Sequence, residues 1–274
     1  MHALPARRLH RFAGLVRSGD VAPATGPLRL GVDLGTANIV LAVVDGGDQP
    51  VAGAWRGATV VRDGVVVDWL GAVRVVGELK TQLEDRLRAR FTAAAVAIPP
   101  GIDAGTTKVF GNVLEACGLA VDEIVDEPVA AATALGVTDG TVIDVGHGTT
   151  GVSLLDDGAI GFSVDEATGG HHMTLVISGA LGMDYDAAEA FKRDPANADL
   201  VFGLIRPTLE KMATIARDAL RGTADPGTIH LVGGSSSFPR AVEVFTEVLG
   251  HPVVRPADPL FPTPLGTAMR RSQP

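Results

Sequence analysis

Hydrophobic positions follow two periods along the chain, one typical of buried strands and one typical of amphipathic helices. Short runs rich in β-branched residues predict strands, and apolar residues three or four apart predict helices. Because strands and helices alternate after the first hairpins, the pattern predicts a mixed α/β sheet. The predicted strands cover residues 28–33, 39–44, 50–54, 93–98, 121–125, 141–143 and 228–232, and the main predicted helices cover 79–91, 106–117, 128–135 and 237–249.

Turn residues and proline add three expectations to this outline. Residues 60–76 are predicted to form a hairpin about Asp63 and Gly64, and Asp157 with Gly158 predicts another hairpin turn. Helices are predicted to follow as far as about residue 222. Pro207 is expected only near the start of the last of these helices, because proline has no backbone N–H to donate within a helix.

The first 27 residues differ from the rest of the chain in composition. Arginines and apolar residues recur at helical spacing, which predicts a short basic amphipathic helix. Residues 21–27, rich in Pro, Ala and Gly, predict a flexible linker. Two interpretations follow: a disordered or loosely docked tail, which the sequence favours, or a docking or targeting helix. The helix residues are Leu4, Arg7, Arg8, Leu9, Arg11, Phe12, Leu15, Val16 and Arg17.

Length, composition and charge restrict the classes of function. A chain of 274 residues, 46% of them apolar, is long enough for one large or two small globular domains. Its net charge of −9 argues against a nucleic-acid partner, because binding the phosphate backbone requires a basic surface. The single cysteine, Cys117, allows no disulfide within the chain and fits the cytoplasm. No apolar run reaches about 18 residues, so we expect no membrane partner.

The stretch from Thr141 to Gly151, TVIDVGHGTTG, joins a buried strand to a turn suited to phosphate. Glycines let backbone N–H groups approach an anion, hydroxyls donate further hydrogen bonds, and a carboxylate holds Mg²⁺ through its waters. Ordinary hairpin turns share this pattern, so by itself it indicates phosphate binding only weakly. Its carboxylate, glycine and hydroxyl positions are Asp144, Gly146, Gly148, Thr149, Thr150 and Gly151.

A second stretch near the start, LRLGVDLGTAN, repeats this arrangement. Asp33 ends a strand, and Gly35, Thr36 and Asn38 occupy the turn before the next strand. An ordinary tight turn would explain one such stretch. Two of them in one chain predict facing hairpins that clamp a polyphosphate from both sides.

Acidic or small residues also stand where other predicted strands end. Glu127 precedes Pro128 at a helix start, where a carboxylate either stabilises the helix dipole or orients a water near a phosphate. The helix that follows carries small side chains, so we expect it to press closely against a neighbour. Gly233, Gly234 and Ser235 follow another strand and leave room for a flat ring or a ribose against the backbone.

Two further stretches give weaker indications of function. The residues 264–268, PLGTA, predict a second small-residue helix start that mirrors the one after Glu127. The adjacent His171 and His172 suggest a metal site, but no second pair of ligands lies at a helical or hairpin spacing. Helix capping is therefore the preferred interpretation of the histidine pair.

Five stretches in a fixed order resemble the nucleotide-binding motifs of the actin-like ATPases, the superfamily of actin, DnaK-type chaperones and many sugar kinases. The likeness extends from residue 28 to about residue 270. It implies an α/β actin-like ATPase fold with two ribonuclease-H-like lobes, residues 28–138 and 139–270, and a nucleotide cleft between them. The stretches are DLGT at 33–36, EPVAAA at 127–132, DVGHGTT at 144–150, LVGGS at 231–235 and PLGTA at 264–268.

Within this superfamily the chain resembles in particular the EutJ family of ethanolamine utilisation proteins, which are DnaK-like and encoded with bacterial microcompartment enzymes. The stretches LGVDLGTANIV, DEPVAAATAL, DEATGGHHMTL and RPTLEKMATIAR carry this likeness. It implies ATP or ADP with Mg²⁺ as ligands and microcompartment enzymes or shell proteins as clients. It also implies a cytoplasmic protein that associates with the microcompartment, without a DnaK-style peptide-binding domain, and leaves an oligomer open.

The resemblance also implies roles for individual residues. Asp33 and Asp144 would lie beside the Mg²⁺ ion, with Asp144 acting in catalysis as well, and Glu127 would position the attacking water. The other implied ligand-binding residues are Gly35, Thr36, Asn38, Gly146, Gly148 and Thr149 around the phosphates, Gly233, Gly234 and Ser235 beside adenosine, Glu210 and Lys211 near the ribose, and Gly169 and Gly170 on the cleft side of the second lobe.

Two departures from the superfamily pattern predict slow hydrolysis. His147 stands where a glycine is usual, and no lysine matches the catalytic lysine of DnaK-type chaperones, since Lys80 is predicted on an exposed helix. Because phosphoryl transfer depends on charge stabilisation, we expect a weak ATPase. Three classes remain open: a chaperone or reactivase, a nucleotide-binding scaffold or filament former, and a small-molecule kinase, which has the least support.

Overall fold

The computed structural model describes residues 3–62, 64–223 and 225–270. Asp63, half of the turn predicted at Asp63 and Gly64, lies outside the described residues. The chain divides into two compact units. Unit 1 comprises Met1–Thr138, Leu155–Gly161 and Leu260–Pro274, and unit 2 comprises Asp139–Leu154 and Phe162–Pro259.

Helices and strands alternate along the chain as the hydrophobic pattern indicates. The helices are α1 Ala3–Ser18, α2 Trp69–Leu87, α3 Ala104–Ala116, α4 Glu127–Leu135, α5 Gly170–Leu181, α6 Tyr185–Arg193, α7 Ala198–Ala219, α8 Ala241–Leu249 and α9 Pro262–Met269. The strands are β1 Arg29–Leu34, β2 Asn38–Val44, β3 Pro50–Gly57, β4 Val61–Arg62, β5 Val65–Val66, β6 Ala93–Ile98, β7 Ala120–Asp126, β8 Gly140–Val145, β9 Thr150–Asp156, β10 Ala159–Glu166, β11 Ile229–Val232 and β12 Val253–Val254. Within residues 3–62, 64–223 and 225–270, no helix is long and apolar enough to cross a bilayer.

Unit 1 is built on a five-stranded sheet with the order β3-β2-β1-β6-β7. The pairs β1–β2 and β2–β3 are antiparallel, whereas β1–β6 and β6–β7 are parallel. Side chains such as Leu79 and Leu83 of α2 and Phe110 and Leu114 of α3 are buried in one core with residues of the sheet. Because β1, β6 and β7 run parallel, their carboxyl ends meet at one edge of this sheet.

Helices α4 and α9 of unit 1 pack with their backbones in direct contact. Gly266 of α9 lies against the carbonyl group of Ala130 in α4, where no Cβ would fit. Gly31 of β1 lies against α9 in the same way, since a Cβ there would come 2.7 Å from the Cα of Ala268. The expectation that the small-residue helix after Glu127 presses closely against a neighbour is therefore confirmed.

The basic segment near the start of the chain forms α1, which packs firmly on unit 1. Leu9, Phe12 and Val16 on its apolar face are at most 6% exposed. The ring of Phe12 meets the ring of Phe261 edge-on, with centroids 5.6 Å apart. Since burial of three large apolar side chains opposes release of the helix, residues 4–18 are docked rather than the loose tail that the sequence favoured.

Unit 2 contains a second five-stranded sheet with the order β10-β9-β8-β11-β12. Strand β11 pairs in parallel with both β8 and β12. Helices α5, α7 and α8 contribute Met173, Leu209 and Phe245 to a core shared with Ile143 of β8. The parallel pairing of β8 and β11 brings the carboxyl ends of these two strands side by side.

Two local predictions were wrong. Residues 69–76, predicted as part of a hairpin, form the start of α2, because the Asp68 carboxylate caps the helix at the Gly71 N–H and the apolar residues recur at helical spacing. Pro207 lies inside α7 rather than near its start. Buried residues on both sides of the proline, including Ile205 and Leu209, hold α7 on the core, and this packing outweighs the lost helical hydrogen bond.

Candidate functional site

In unit 1 the candidate site lies at the carboxyl end of β1. Asp33 pairs with Val40 of β2 on one side and with Ala97 of β6 on the other, which fixes its backbone in the sheet. A Cβ at Gly35 would come 2.9 Å from the carbonyl oxygen of Asn38, so the turn after the strand is tight. The turn residues Gly35 and Thr36 and the first β2 residue, Asn38, therefore join Asp33 at one edge of the sheet, as predicted.

Glu127 lies at the same edge of the unit 1 sheet, two strands away from Asp33. Val125 of β7 pairs with Ala97 of β6, and Ala97 in turn pairs with Asp33 of β1. Glu127 follows two residues later as the first residue of α4. Two strand spacings separate Asp33 from Val125, so these two residues lie about 10 Å apart across the sheet, and Glu127 lies two residues beyond Val125.

In unit 2 the corresponding carboxylate, Asp144, lies in a tightly enclosed turn. Asp144 of β8 pairs with Val232 of β11, and the Gly146 N–H donates to the Thr149 carbonyl oxygen at 3.0 Å. The backbone of Gly233 lies directly against the Asp144 carboxylate, and a Cβ there would also come 2.6 Å from the carbonyl carbon of Val145. Gly233 has a φ of +87°, so both its conformation and its surroundings require glycine.

A second glycine pair of unit 2 packs on the same turn. The Gly170 N–H donates to the Gly146 carbonyl oxygen at 3.0 Å. A Cβ at Gly169 would come 2.7 Å from the carbonyl carbon of Gly148, and the Ser235 side chain lies against Gly170. Two segments, one around Gly170 and one around Gly233, thus enclose the turn. Within unit 2 the structure brings together Asp144, Gly146, Gly148, Thr149, Gly169, Gly170, Gly233 and Ser235, and Gly234 begins the 3-10 turn next to Gly233.

The electrostatics of the unit 2 turn favour a bound cation. Burial, and after it the charge of Asp165, raises the pKa of Asp144 to about 7. A cation beside this carboxylate would remove the unfavourable energy of its charge. Burial, and after it the positive charge of Lys192, lowers the pKa of His147 to about 4, so the imidazole is neutral at neutral pH.

Three histidines of unit 2, His147, His171 and His172, lie near one another and make hydrogen bonds to Tyr185 or to the backbone. The Tyr185 hydroxyl lies 3.2 Å from Nε2 of His147 and 2.9 Å from Nδ1 of His171. Nδ1 of His172 accepts a hydrogen bond from the Gly169 N–H at 3.2 Å, which is the capping role preferred for the histidine pair. In the part of the chain that the structure describes, no group of three or more His, Cys, Asp or Glu side chains is placed to hold a metal ion.

Glu210 and Lys211, which the resemblance places near a ribose, lie on α7 away from these hydrogen bonds. Glu210 accepts from Arg206 at 2.7 Å, and Arg206 also reaches Glu247 of α8 at 3.3 Å. Lys211 is exposed. The hydrogen bond from Arg206 to Glu210 therefore lies on the surface formed by α7 and α8, and the assignment of Glu210 and Lys211 to the ribose stays a prediction.

The polar face of α6 is the part of the site that the sequence did not reveal. Tyr185, Glu189 and Lys192 are spaced i, i+4 and i+7 on this helix and contact the first turn of α5. The spacing itself was visible in the sequence. A polar stripe on a helix usually faces water, however, so it gave no reason to place these residues beside the turn.

Comparison with known proteins identifies close relatives and a wider fold family. A family model described as Hsp70 protein matches residues 70–174. The ethanolamine utilization protein EutJ of Salmonella typhimurium is 41% identical over 264 residues, which cover 95% of this chain and 91% of that protein. The crystal structure of EutJ from Carboxydothermus hydrogenoformans is similar with a TM-score of 0.92 and 40% identity, covering 97% of this chain and 98% of that one.

The wider structural similarity includes proteins with little sequence identity. The crystal structure of MreB 5 of Spiroplasma citri bound to AMPPNP has a TM-score of 0.73 at 18% identity, covering 90% of this chain and 96% of that chain. At this identity the likeness establishes the fold alone. Together with the family model and the EutJ structure, it confirms the actin-like ATPase fold expected from the five sequence stretches.

Proposed function

Because the chain belongs to the family of the ethanolamine utilization protein EutJ, we propose that it is an ATP-binding chaperone or reactivase of a bacterial microcompartment pathway. Ethanolamine, or a related amine or diol, would be the substrate of that pathway. The protein would act in the cytoplasm on microcompartment enzymes or shell proteins. The observation that carries the proposal is the turn of unit 2 after Asp144: the backbone of Gly233 lies against the Asp144 carboxylate, and the segment around Gly170 packs on the turn itself.

A magnesium ion fits the chemistry of this carboxylate. The pKa of Asp144 is raised to about 7, so its negative charge is poorly compensated in the unbound protein. The described residues provide no cluster of three or more metal-binding side chains. Mg²⁺ suits such a place, because it is commonly held by one or two carboxylates, its own waters and the phosphates of a nucleotide. Asp144 in unit 2 and Asp33 in unit 1 are the carboxylates that would serve it.

The other candidate site residues of unit 1 and unit 2 would bind and orient the nucleotide. The terminal phosphate anhydride of ATP would supply the free energy of the reaction. Backbone N–H groups near glycines suit the phosphates, because nothing larger than hydrogen blocks an approaching anion. Glu127 would accept a proton from, and orient, the attacking water. The phosphate residues would be Gly35, Thr36, Asn38, Gly146, Gly148 and Thr149; the nucleoside residues would be Gly233, Gly234 and Ser235, with Glu210 and Lys211 near the ribose and Gly169 and Gly170 supporting the turn.

Two observations support slow hydrolysis. The imidazole of His147 is neutral because its pKa is lowered to about 4, so it adds no cation to the turn. Lys80 of unit 1 is committed to an ion pair with the buried Glu84 at 2.9 Å. Since charge stabilisation dominates phosphoryl transfer, turnover should be slow when neither His147 nor Lys80 supplies a positive charge to the phosphates.

A chaperone role for the bound nucleotide agrees with the match of residues 70–174 to the Hsp70 family model. In this proposal ATP and its products favour different states of the protein, and the client binds one of those states more tightly. A ligand changes such an equilibrium only by its difference in affinity for the two states. The chaperone therefore requires ATP and ADP to change client affinity by different amounts.

A nucleotide-binding scaffold or filament former with little or no turnover is the second candidate. The neutral His147, which is hydrogen-bonded to Tyr185, favours the scaffold because an uncharged imidazole would not speed phosphate transfer. The fold similarity to MreB 5 crystallised with AMPPNP agrees with nucleotide binding by such a protein. Sedimentation at increasing protein concentration, with and without nucleotide, separates a filament former from a chaperone.

Isothermal calorimetry of ATP, ADP and AMP with Mg²⁺, followed by phosphate release on the same sample, tests the proposal. Binding with slow release supports a nucleotide-cycled chaperone, and client capture should then differ between ATP and ADP. Binding without release supports the scaffold. If none of the three nucleotides binds, both candidates are wrong and the fold serves here as an interaction module. Phosphate transfer to an added polyol or sugar would indicate a kinase instead.

A further inference from the structure

The helix α6 of unit 2 directs a polar face at the first turn of α5. Its residues Tyr185, Glu189 and Lys192 lie one or two helical turns apart on one side, as the i, i+4 and i+7 spacing requires. A helix on a protein surface normally buries an apolar stripe and exposes its polar one. On α6 these polar residues face inward as well, beside the buried Ala188 of the core. Buried polar networks of this kind are costly unless every group is satisfied, so they require a specific explanation.

Lys192 is the most deeply buried member of this face. The residue is 7% exposed. Its Nζ donates to the Gly170 carbonyl oxygen at 3.0 Å, to the Thr174 Oγ1 at 2.7 Å and to the Glu189 Oε2 at 2.6 Å. An ammonium group has three N–H donors, and all three are used. No uncharged side chain of similar length offers three donors at one point.

The ion pairs around Lys192 leave one positive charge in excess. Glu189 accepts from Lys192 and also from Arg193, whose Nε lies 2.7 Å from the Glu189 Oε1. Burial alone would raise the pKa of Glu189, but hydrogen bonds from Lys192 and Thr174 and the charge of Lys192 lower it to about 2. One carboxylate therefore faces two cations, and Lys192, the buried one, lowers the pKa of His147 by its charge.

Both ends of the polar face are connected to the turn that encloses Asp144. Lys192 holds the carbonyl group of Gly170, whose own N–H donates to the Gly146 carbonyl oxygen at 3.0 Å. Tyr185 contacts the ring of His171, and the backbone N–H of His171 donates to the His147 carbonyl oxygen at 2.7 Å. Gly170 and His171, which Lys192 and Tyr185 contact, are thus the same residues whose backbone N–H groups donate to the turn.

We propose that Lys192 and Tyr185 are positioning residues of the phosphate turn, residues 146–149, and that Lys192 in addition supplies positive potential for a bound polyphosphate. The inference rests on the proposed nucleotide function and names residues that neither the sequence stretches nor the family resemblance assigned. Lys192 holds the start of α5 against the turn, so that the backbone N–H groups keep the directions a phosphate needs. Its charge acts from behind the backbone, where it neither contacts nor blocks the ligand.

Lys192→Met tests the charge and the hydrogen bonds together, and calorimetry with Mg-ATP and with AMP gives the measurement. The ratio of the two dissociation constants isolates the turn, because AMP lacks the phosphates that the turn would hold. Partial unfolding would weaken both ligands equally and leave the ratio unchanged. We expect Lys192→Met to lower the affinity for Mg-ATP by about tenfold relative to the affinity for AMP, as for loss of a charge-assisted hydrogen bond.

A charge-matched variant, a mild variant and a control complete the series. Lys192→Met combined with Glu189→Gln removes the ion pair without stranding a buried carboxylate, so it replaces the single variant if that one does not fold. Tyr185→Phe deletes only the hydroxyl, and we expect a loss of roughly threefold in the ratio, as for one uncharged hydrogen bond. Lys108→Met removes an exposed lysine from α3 of unit 1 and should leave the ratio unchanged.

The tyrosine provides an independent spectroscopic test. The sequence contains a single tyrosine, so protein labelled with ¹³Cζ-tyrosine gives one signal that belongs to Tyr185. We expect Mg-ATP to shift this signal more than AMP does, because a ligand in the turn moves or polarises the His147 and His171 rings. The shift should be reduced in Lys192→Met at saturating ATP. A residue with a purely structural role would show no difference between the two nucleotides.

The outcomes separate this inference from the proposed function. If the wild-type protein binds no nucleotide, both are wrong. If the wild-type protein binds ATP more tightly than AMP, but the folded Lys192→Met protein or its charge-matched replacement keeps the wild-type ratio, the positioning role is wrong and nucleotide binding stands. A tyrosine signal that ATP leaves unmoved would contradict the role of Tyr185 in the same way.

Discussion

Each of the two units has a strand that ends near an aspartate and is followed by a turn with glycine and threonine, but the surrounding structure holds the two turns differently. In unit 1, the turn after Asp33 is held by its own hairpin and by pairing of β1 with β6. In unit 2, the turn after Asp144 is enclosed by two other segments, one around Gly170 and one around Gly233. Strand pairing therefore holds the first turn, whereas close backbone packing from two other segments holds the second, and one of those segments lies about a third of the chain away.

This difference teaches that similar sequences at two strand ends do not imply similar tolerance to substitution. A turn held by strand pairing can adjust by small movements of its own backbone. A turn enclosed by glycine backbone on two sides cannot adjust unless all three segments move, because protein interiors are close-packed. Substitutions in unit 2 should therefore show larger and less local effects, and four measurements bear on this expectation.

The largest expected contrast is between Gly233→Ala and Gly35→Ala. Gly233→Ala places a Cβ onto Asp144 and Val145 at a positive φ, so we expect a loss of about 3 kcal/mol or more in the free energy of unfolding. Gly35→Ala meets one carbonyl oxygen, and we expect a loss of about 1 kcal/mol. Urea denaturation measures both values. Gly179→Ala, on a helix with open space around it, is the control, and equal losses at positions 233 and 35 would remove the contrast.

The next effect concerns the rate of ATP hydrolysis. Glu127 of unit 1 should act as the general base, and we expect no such role for a residue of unit 2. We expect Glu127→Gln to lower the rate of phosphate release by about a hundredfold, because the amide cannot accept a proton from water. The dissociation constant of ATP should stay within roughly twofold of the wild-type value, which is a small change in binding free energy. Glu115→Gln, on the exposed side of α3, is the matched control. Unchanged turnover in Glu127→Gln would remove this residue from the mechanism.

The two aspartates should differ in stability and agree in binding. Asp144→Asn removes a carboxylate whose pKa is raised to about 7, so at pH 8 we expect the free energy of unfolding to rise by about 2 kcal/mol. Asp33→Asn should not stabilise the protein. Both variants should lose the dependence of ATP binding on Mg²⁺. If Asp33→Asn stabilises the protein as much as Asp144→Asn does, the electrostatic distinction between the units is wrong.

The smallest effect is a dependence on pH that unit 2 alone should cause. A carboxyl with a pKa of about 7 is mostly ionised at pH 8 and mostly protonated at pH 6. Since a proton competes with the cation, Mg-dependent ATP affinity should fall by about tenfold from pH 8 to pH 6. Asp144→Asn should bind weakly at both values with little change between them. A wild-type affinity that stays constant over this interval would show that Asp144 does not hold the ion.

Much of the fold was predictable because strands and their ends carry local sequence patterns. The strand at residues 93–98 has the bounds of β6, and the turns after Asp33 and Asp144 lie where carboxylate, glycine and hydroxyl residues follow β-branched runs. These features depend on short-range propensity. The start of α2 was missed, because three consecutive valines at residues 65–67, typical of a strand, run directly into the helix that Asp68 caps.

The enclosure of the unit 2 turn could not be predicted, because it depends on contacts between distant segments. Nothing near Gly233 in the sequence shows that its backbone meets Asp144, and the left-handed φ of Gly233 is visible only in the fold. Lys192 is similar. Arg193 and Asp194 follow it, as is typical of an exposed helix end, while two of its hydrogen-bond partners, Gly170 and Thr174, lie about twenty residues earlier.

The contact between Phe12 and Phe261 has a consequence for the order of events during synthesis. At translation rates of about 5–20 residues per second, the partner ring follows Phe12 by roughly ten to fifty seconds. During that interval the ring of Phe261, the residue before α9, cannot cover Phe12, although β3 with Gly53 already can. The packing around Phe12 is therefore completed only after unit 2 has been made.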